Sequence, residues 1–192
     1  MKKVLIINGH PDKQSFNMAL AEAYLEGANK SKALVSQINI ADLNFNPNLQ
    51  FGYRKRTTLE PDLTAAIEKI KEAEHLVWVF PMWWYGYPAI MKGFIERTFL
   101  PGIAYEPIEG KPFPKKLFKG KSARIIITAD TPRWYDYLFM KQPAINQFKK
   151  GTLQFCGINP VKVSYIAPLK DSSLDFRGKW LKKVSLLGEK LL

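Results

Sequence analysis

Four runs of consecutive apolar residues punctuate the chain: Val4 to Asn8, Leu76 to Phe80, Ala123 to Ala129 and Val161 to Ile166. Each is short, rich in Val and Ile, and mostly continuous rather than alternating, the pattern of strands covered on both faces. A fifth stretch, Ala33 to Ile40, alternates apolar and polar positions and predicts a strand with a more exposed face. Between these runs the period lengthens. Phe16, Ala19, Leu20, Ala23 and Tyr24 form one stripe of a helix over Phe16 to Glu26, with Gly27 near its end. Leu63, Ala66, Ile67 and Ile70 do the same over Leu63 to Ala73, with Pro61 suited to the helix start. Pro88 to Phe99 opens on a proline and is followed by Pro101-Gly102. The pattern finishes with Ser172 to Leu191, where Leu174, Trp180, Leu181, Val184 and Leu187 can dock on a sheet.

Strands alternating with helices imply right-handed βαβ units and a mostly parallel sheet. Five strands favour an α/β, doubly wound parallel sheet of order 2-1-3-4-5, the flavodoxin-like arrangement. Its ligand sits beyond the carboxyl ends of strands 1 and 3. No internal repeat or low-complexity stretch interrupts the pattern, so residues 1–192 are expected to form a single domain. Phe45 to Thr58 and Pro101 to Gly120 are long connections suited to binding or dimer loops.

Composition narrows the picture further. Hydrophobic residues make up 46% and charged residues 24%, ordinary for a soluble protein. No apolar stretch approaches the roughly 18 residues of a membrane span. Met1 to Asn8 has the charge and apolar order of a signal peptide, but its apolar core is too short and it reads as a first strand. The single cysteine, Cys156, leaves no intrachain disulfide and no metal-type cysteine cluster. A cytoplasmic location is the simplest inference, and no metal is expected. The formal charge of +12 is spread over small clusters such as Arg54-Lys55-Arg56 and Lys149-Lys150. With no basic tail and no zinc-finger or RNA-recognition motif, that spread argues against nucleic acid as a partner and for a surface that mildly steers anionic ligands.

Candidate chemistry concentrates in two segments. Asn8-Gly9-His10-Pro11-Asp12-Lys13-Gln14-Ser15-Phe16-Asn17 leaves the first strand and enters the first helix. Ser15 is a good N-cap, and the free N–H groups behind it form an anion site. His10 can add an N–H or a positive charge beside a phosphate. The alternative is a helix cap and a packed turn with no ligand. Neither a P-loop nor a dinucleotide fingerprint is present. Phe80-Pro81-Met82-Trp83-Trp84-Tyr85-Gly86-Tyr87-Pro88 leaves strand 3 and is unusually aromatic for a turn. Such a loop either plugs a core or subunit interface, or stacks on a flat ligand while its N–H groups meet the ligand's edge. Because both segments follow neighbouring strands, they can hold the two ends of one planar, phosphorylated cofactor. A flavin nucleotide fits.

Read together, His10-(x)4-Ser15-Phe16-Asn17, Phe80 to Ala89, Lys92-Gly93-Phe94-Ile95-Glu96-Arg97-Thr98-Phe99, Ala104-Tyr105, Gly110-Lys111 and Phe155-Cys156-Gly157 carry a resemblance. The chain resembles the flavodoxin-like NAD(P)H:quinone oxidoreductases, which include the DT-diaphorase type and the short flavoproteins ancillary to potassium-efflux systems. The resemblance implies a homodimer with two FMN or FAD sites at the subunit interface, and NAD(P)H as co-substrate. It implies that His10, Ser15, Phe16 and Asn17 hold the flavin phosphates and ribityl chain. Pro81, Met82, Trp83, Trp84 and Tyr85 would border the ring, and Thr128, Ala129, Asp130 and Thr131 would close over it. Tyr105 and Phe155 would reach the partner's pocket, and hydride would pass to a quinone by a ping-pong mechanism.

The chain also departs from the family pattern. The family's Thr-Thr-Gly-Gly after strand 4 is replaced by Thr128-Ala129-Asp130-Thr131-Pro132-Arg133-Trp134-Tyr135, which removes two glycines and is expected to add a carboxylate near the ring. The family's downstream histidine has no counterpart, because His75 lies at the start of strand 3. Tyr135 matches the family's site tyrosine and is the candidate catalytic residue, while Trp134 and Tyr135 can instead narrow the substrate pocket. Ile67 stands where larger members place a glutamine near the cofactor pyrophosphate, a weaker fit to FAD than to FMN. The leading expectation is therefore a flavin-dependent NAD(P)H oxidoreductase acting on a quinone or similar aromatic. The alternatives are a flavin-binding regulatory partner of a membrane transporter and, third, a one-electron carrier.

Overall fold

A computed structural model describes residues 1–192. The expected strands form, with bounds shifted by no more than a residue or so: β1 (Lys3–Asn8), β2 (Leu34–Asn39), β3 (His75–Pro81), β6 (Ser122–Thr128) and β7 (Val161–Ile166). They make one five-stranded sheet in which every pair is parallel. The expected order 2-1-3-4-5 becomes β2-β1-β3-β6-β7. The numbering moves because the Pro101 to Gly120 connection contains a small antiparallel hairpin, β4 (Tyr105–Glu106) with β5 (Lys115–Lys116).

Strand periodicity sorts the core into two layers. Leu5, Ile7, Leu76, Trp78, Ile125 and Ile127 face one side. That side is covered by α2 (Pro61–Glu72), α3 (Ala89–Thr98) and α5 (Pro143–Phe148). Val4, Ile6, Val77, Val79 and Ile126 face the other side, under α1 (Phe16–Asn29) and α6 (Leu174–Glu189). Alternating side chains that are apolar on both faces are why these strands read as unbroken apolar runs. The pair α1 and α6 crosses closely enough that a Cβ on Gly27 would lie 1.9 Å from the Ser185 carbonyl oxygen, and one on Gly188 would lie 2.2 Å from that of Tyr24.

The Phe45 to Thr58 connection has no regular structure, yet it is pinned. Arg97 of α3 is 1% exposed and donates through Nη2 to the Thr58 carbonyl and to Glu60 Oε2, each at 2.7 Å. Glu60 Oε1 in turn accepts from the Asn46 N–H at 3.0 Å. One guanidinium thus satisfies the backbone of a loop that has no ladder of its own. Between β6 and β7 lie elements the apolar pattern did not announce: α4 (Arg133–Leu138), α5, and a π-helix at Lys149–Gln154. No helix is long and apolar enough to cross a membrane.

Candidate functional site

The carboxyl ends of β1, β3 and β6 lie along one edge: Pro81 is paired with Thr128, and Asn8 with Val79, two residues before Pro81. Two further backbone hydrogen bonds, from Gly9 to the Val79 carbonyl at 2.8 Å and from Met82 to that of Thr128 at 2.7 Å, extend the ladder into the loops. The segments singled out after strands 1 and 3 therefore share one edge. They also touch: the His10 and Trp83 rings meet edge to face with centroids 5.3 Å apart.

On the β1 side, Ser15 is the N-cap of α1, its Oγ accepting from the Met18 N–H at 3.2 Å. The N–H groups of Phe16 and Asn17 have no acceptor within the chain. The Phe16 ring packs toward α6, near Arg177, so this residue offers its backbone rather than its side chain. The Asn17 side chain is 2% exposed. Its Oδ1 accepts from the Thr128 hydroxyl at 3.0 Å, and its Nδ2 has no partner. A buried donor left unpaired costs about 1–3 kcal/mol, so this one fits a ligand that brings an oxygen to the start of a 14-residue helix. The His10 ring reads the same way. Its Nδ1 accepts from the Asp12 N–H at 2.9 Å, which leaves the proton of the neutral ring on Nε2 as a donor. Burial lowers its pKa from the usual 6.5, outweighing the opposing effect of Asp12, so the ring stays neutral near pH 7.

On the β3 side, Trp83 to Gly86 closes a tight turn through two reciprocal backbone hydrogen bonds, 3.0 and 2.9 Å. Its central residues, Trp84 and Tyr85, both have positive φ, 49° and 56°. That is a type I′ turn, whose central positions normally take Asn or Gly. The turn leaves the N–H groups of Trp84 and Tyr85 without intrachain acceptors, and Trp84 is 100% exposed. Strain of this kind persists where surrounding structure holds it and marks functional loops. A flat aromatic edge with two free donors beside a phosphate cradle fits a flavin's ring and tail.

A family model described as a flavodoxin-like fold matches residues 2–182. The chain belongs to this flavodoxin-like family. Among its relatives, NAD(P)H dehydrogenase (quinone) 1 of Cavia porcellus is 30% identical over 181 residues, 82% of this chain and 65% of that protein's length. The crystal structure of Smu.1420 from Streptococcus mutans UA159 is 31% identical with a TM-score of 0.85, covering 98% of this chain and 99% of that one. An FMN-dependent NADH-azoreductase from Bacillus anthracis str. Ames Ancestor, solved in complex with FMN, has a TM-score of 0.76 with 99% of each chain covered. At 18% identity that likeness speaks to the fold alone. The resemblance to the quinone oxidoreductases is thus supported by named relatives as well as by motifs.

In this flavodoxin-like chain the third wall departs from what its sequence suggests. Thr128 is buried and points at Asn17. Ala129 is buried as well. The Asp130 carboxylate, expected near the ring, instead accepts from the Lys170 N–H at 2.6 Å and is turned toward the segment after β7. The Thr131 carbonyl accepts from the Tyr165 hydroxyl at 2.9 Å. Tyr135 stacks on Phe139 at 5.1 Å and 26°, with Trp134 edge-on to both, and its hydroxyl has no hydrogen bond. These rings form an exposed cluster on α4, and none of their ring contacts reaches the Trp83 turn. Tyr105 and Phe155 meet edge to face at 5.3 Å and line a separate cavity of about 280 Å³ with Tyr53 and Tyr87.

Two residues of this region escaped sequence reasoning. Asn8, 1% exposed at the end of β1, fixes the loop by accepting the His10 N–H at 3.1 Å; its position at the strand's end was the available signal. Asp136 is 1% exposed with neither carboxylate oxygen partnered, and burial raises its pKa. Nothing in its exposed aromatic surroundings predicts that burial. No group of three or more His, Cys, Asp or Glu side chains is placed to hold a metal ion.

Proposed function

We propose that this protein is a flavin-dependent NAD(P)H oxidoreductase that reduces quinones or similar electrophilic aromatics and works as a homodimer. The observation that carries the reading is the coincidence, at one sheet edge, of unpaired donors in two places: the Asn17 amide with the N–H groups of Phe16 and Asn17, and the N–H groups of Trp84 and Tyr85. A bound flavin would supply the two-electron redox chemistry that links the nicotinamide to the acceptor in alternating half-reactions.

The chain's own residues bind and orient. Ser15, Phe16 and Asn17, with the His10 Nε2–H, would hold the phosphate, and Pro81 to Tyr85 would hold the ring. Donors aimed at the ring edge favour negative charge there, which is how a protein tunes such a cofactor. Thr128 to Thr131 shape the remaining wall. Tyr135, the candidate catalytic residue, stands beside that wall with a free hydroxyl able to move a proton to the reduced acceptor. Tyr105 and Phe155 flank a pocket that a second subunit would complete. The names of relatives support both the activity and the nicotinamide.

Visible absorbance of the purified protein, followed by heat release and chromatography of the cofactor, tests the core of the reading. A colourless protein that fails to quench added FMN or FAD fluorescence would sink it.

A further inference from the structure

The third wall runs directly into a second concavity. Arg133 follows Thr131 by two residues, and Tyr165, whose hydroxyl holds the Thr131 carbonyl, lines the same cavity of about 580 Å³ beside β7. Five cations line it: Arg124, Arg133, Lys149, Lys150 and Lys162. No Asp or Glu does. Arg124 is committed elsewhere, donating through Nη1 to Ser164 Oγ at 2.8 Å and through Nε to the Leu192 carbonyl. The other four form no ion pair anywhere in the chain. The nearby Asp130 is tied to the Lys170 N–H, and Asp136 is buried outside the lining. The rest of the lining mixes an apolar patch, Ile145, Val161 and Val163, with the neutral polar side chains of Gln142, Asn146 and Tyr165.

A dense, uncompensated positive charge beside an apolar patch and neutral hydrogen-bonding side chains suits an anion carried on a flat organic group better than a bare ion. An arginine fork matches a phosphate monoester in two bonds, and lysines add point charges around it. Resting on the reading of the neighbouring site as nicotinamide-dependent, we propose that this cavity receives the adenosine 2′-phosphate of NADPH, with Arg133 as its forked contact. Lys149, Lys150 and Lys162 supply the surrounding field, and the protein selects NADPH over NADH.

Calorimetric titration of the purified protein with adenosine 2′,5′-bisphosphate, 5′-AMP, 5′-ADP and pyrophosphate tests this without turnover. The bisphosphate is expected to bind at least tenfold more tightly than the other three. Arg133→Ala, and separately Lys149→Ala with Lys150→Ala, are expected to cut that preference at least threefold, while Lys179→Ala on α6 leaves it unchanged. Melting curves confirm that each variant is folded. Equal binding of the bisphosphate and 5′-ADP, pyrophosphate binding as tight as the bisphosphate, or a preference untouched by the cavity variants would each overturn the inference. A flavin-bearing protein without the preference refutes this site alone. A protein without flavin that keeps the preference refutes the oxidoreductase reading and leaves the site standing.

Discussion

Trp84→Asn separates what the aromatic turn costs from what it does. Trp84 holds φ of 49° at the first central position of a type I′ turn, and its side chain is fully exposed. The left-handed region costs an ordinary L-residue about 1 kcal/mol or more, and Asn tolerates it best after glycine. Because removal of the indole forfeits no burial within the chain, that strain is nearly all of the difference. The flavin-free variant should gain ~1 kcal/mol, or roughly 2–4 °C in Tm for a chain of this length. Flavin binding should move the other way. Loss of an aromatic face against the ring removes about 0.5–1.5 kcal/mol, a rise of roughly two- to twelvefold in Kd. Thermal unfolding of the flavin-free protein and quenching of added FMN read the two effects separately. A variant that is less stable, or one that binds FMN as tightly as the parent, refutes the reading of the turn as strain held for ligand binding.

Asn17→Ala removes the buried unpaired amide and should raise the FMN Kd by tenfold or more, the worth of a hydrogen bond to a charged group, as read by fluorescence titration. His75, 3% exposed, has its pKa lowered to about 4 by burial and then by Lys2, Arg124 and Lys162. The unfolded chain therefore takes up this proton first, and stability present above pH 6.5 should be lost by ~3 kcal/mol as pH falls to about 4. In His75→Asn, urea titrations across that window should show a smaller fall. The raised pKa of Asp136 works oppositely: the folded state holds its proton longer, so its cost appears as pH rises through that pKa. The Tm gain of Asp136→Asn should be largest at neutral pH and shrink on acidification. Gly27→Ala drives a methyl into the Ser185 carbonyl, and by parting α1 from α6 should cost at least ~2 kcal/mol in chemical denaturation.

Periodicity made the sheet legible. Each of the four apolar runs became a strand, and β1, β3 and β6 have neighbours on both sides, because residues buried on both faces leave little freedom in sequence. The cradle was legible for a similar reason: Ser15 caps a helix wherever such a helix follows a strand. Residues 133 to 154 were not. Two six-residue helices and a π-helix are too short to show a stripe, and Pro143 and Gly151 break what period exists. The α4 aromatics are exposed, so apolar character there did not signal core. A turn with Trp-Tyr at positions that ordinarily demand Asn-Gly also defeats turn rules, since it is closed by the Trp83 and Gly86 backbones, which hold the strained pair whatever its side chains. The orientation of the Asp130 carboxylate was not legible because its partner, the Lys170 N–H, lies forty residues away.

Those remote tethers bear on motion. In a glycine-rich wall, backbone freedom is local and the loop can swing by itself. Here Asp130 is fastened to Lys170 and Thr131 to Tyr165, so the wall can move only as fast as the β7 end of the sheet lets go. The Ala129 N–H also donates to the Ile166 carbonyl and the Ala129 carbonyl accepts from the Leu169 N–H, so gating by this loop would require breaking four hydrogen bonds together, a slow event beside side-chain rotation. Under the proposed function, entry and exit would then fall to the open flank at the fully exposed Trp84, whose side chain can rotate without any opening of the backbone.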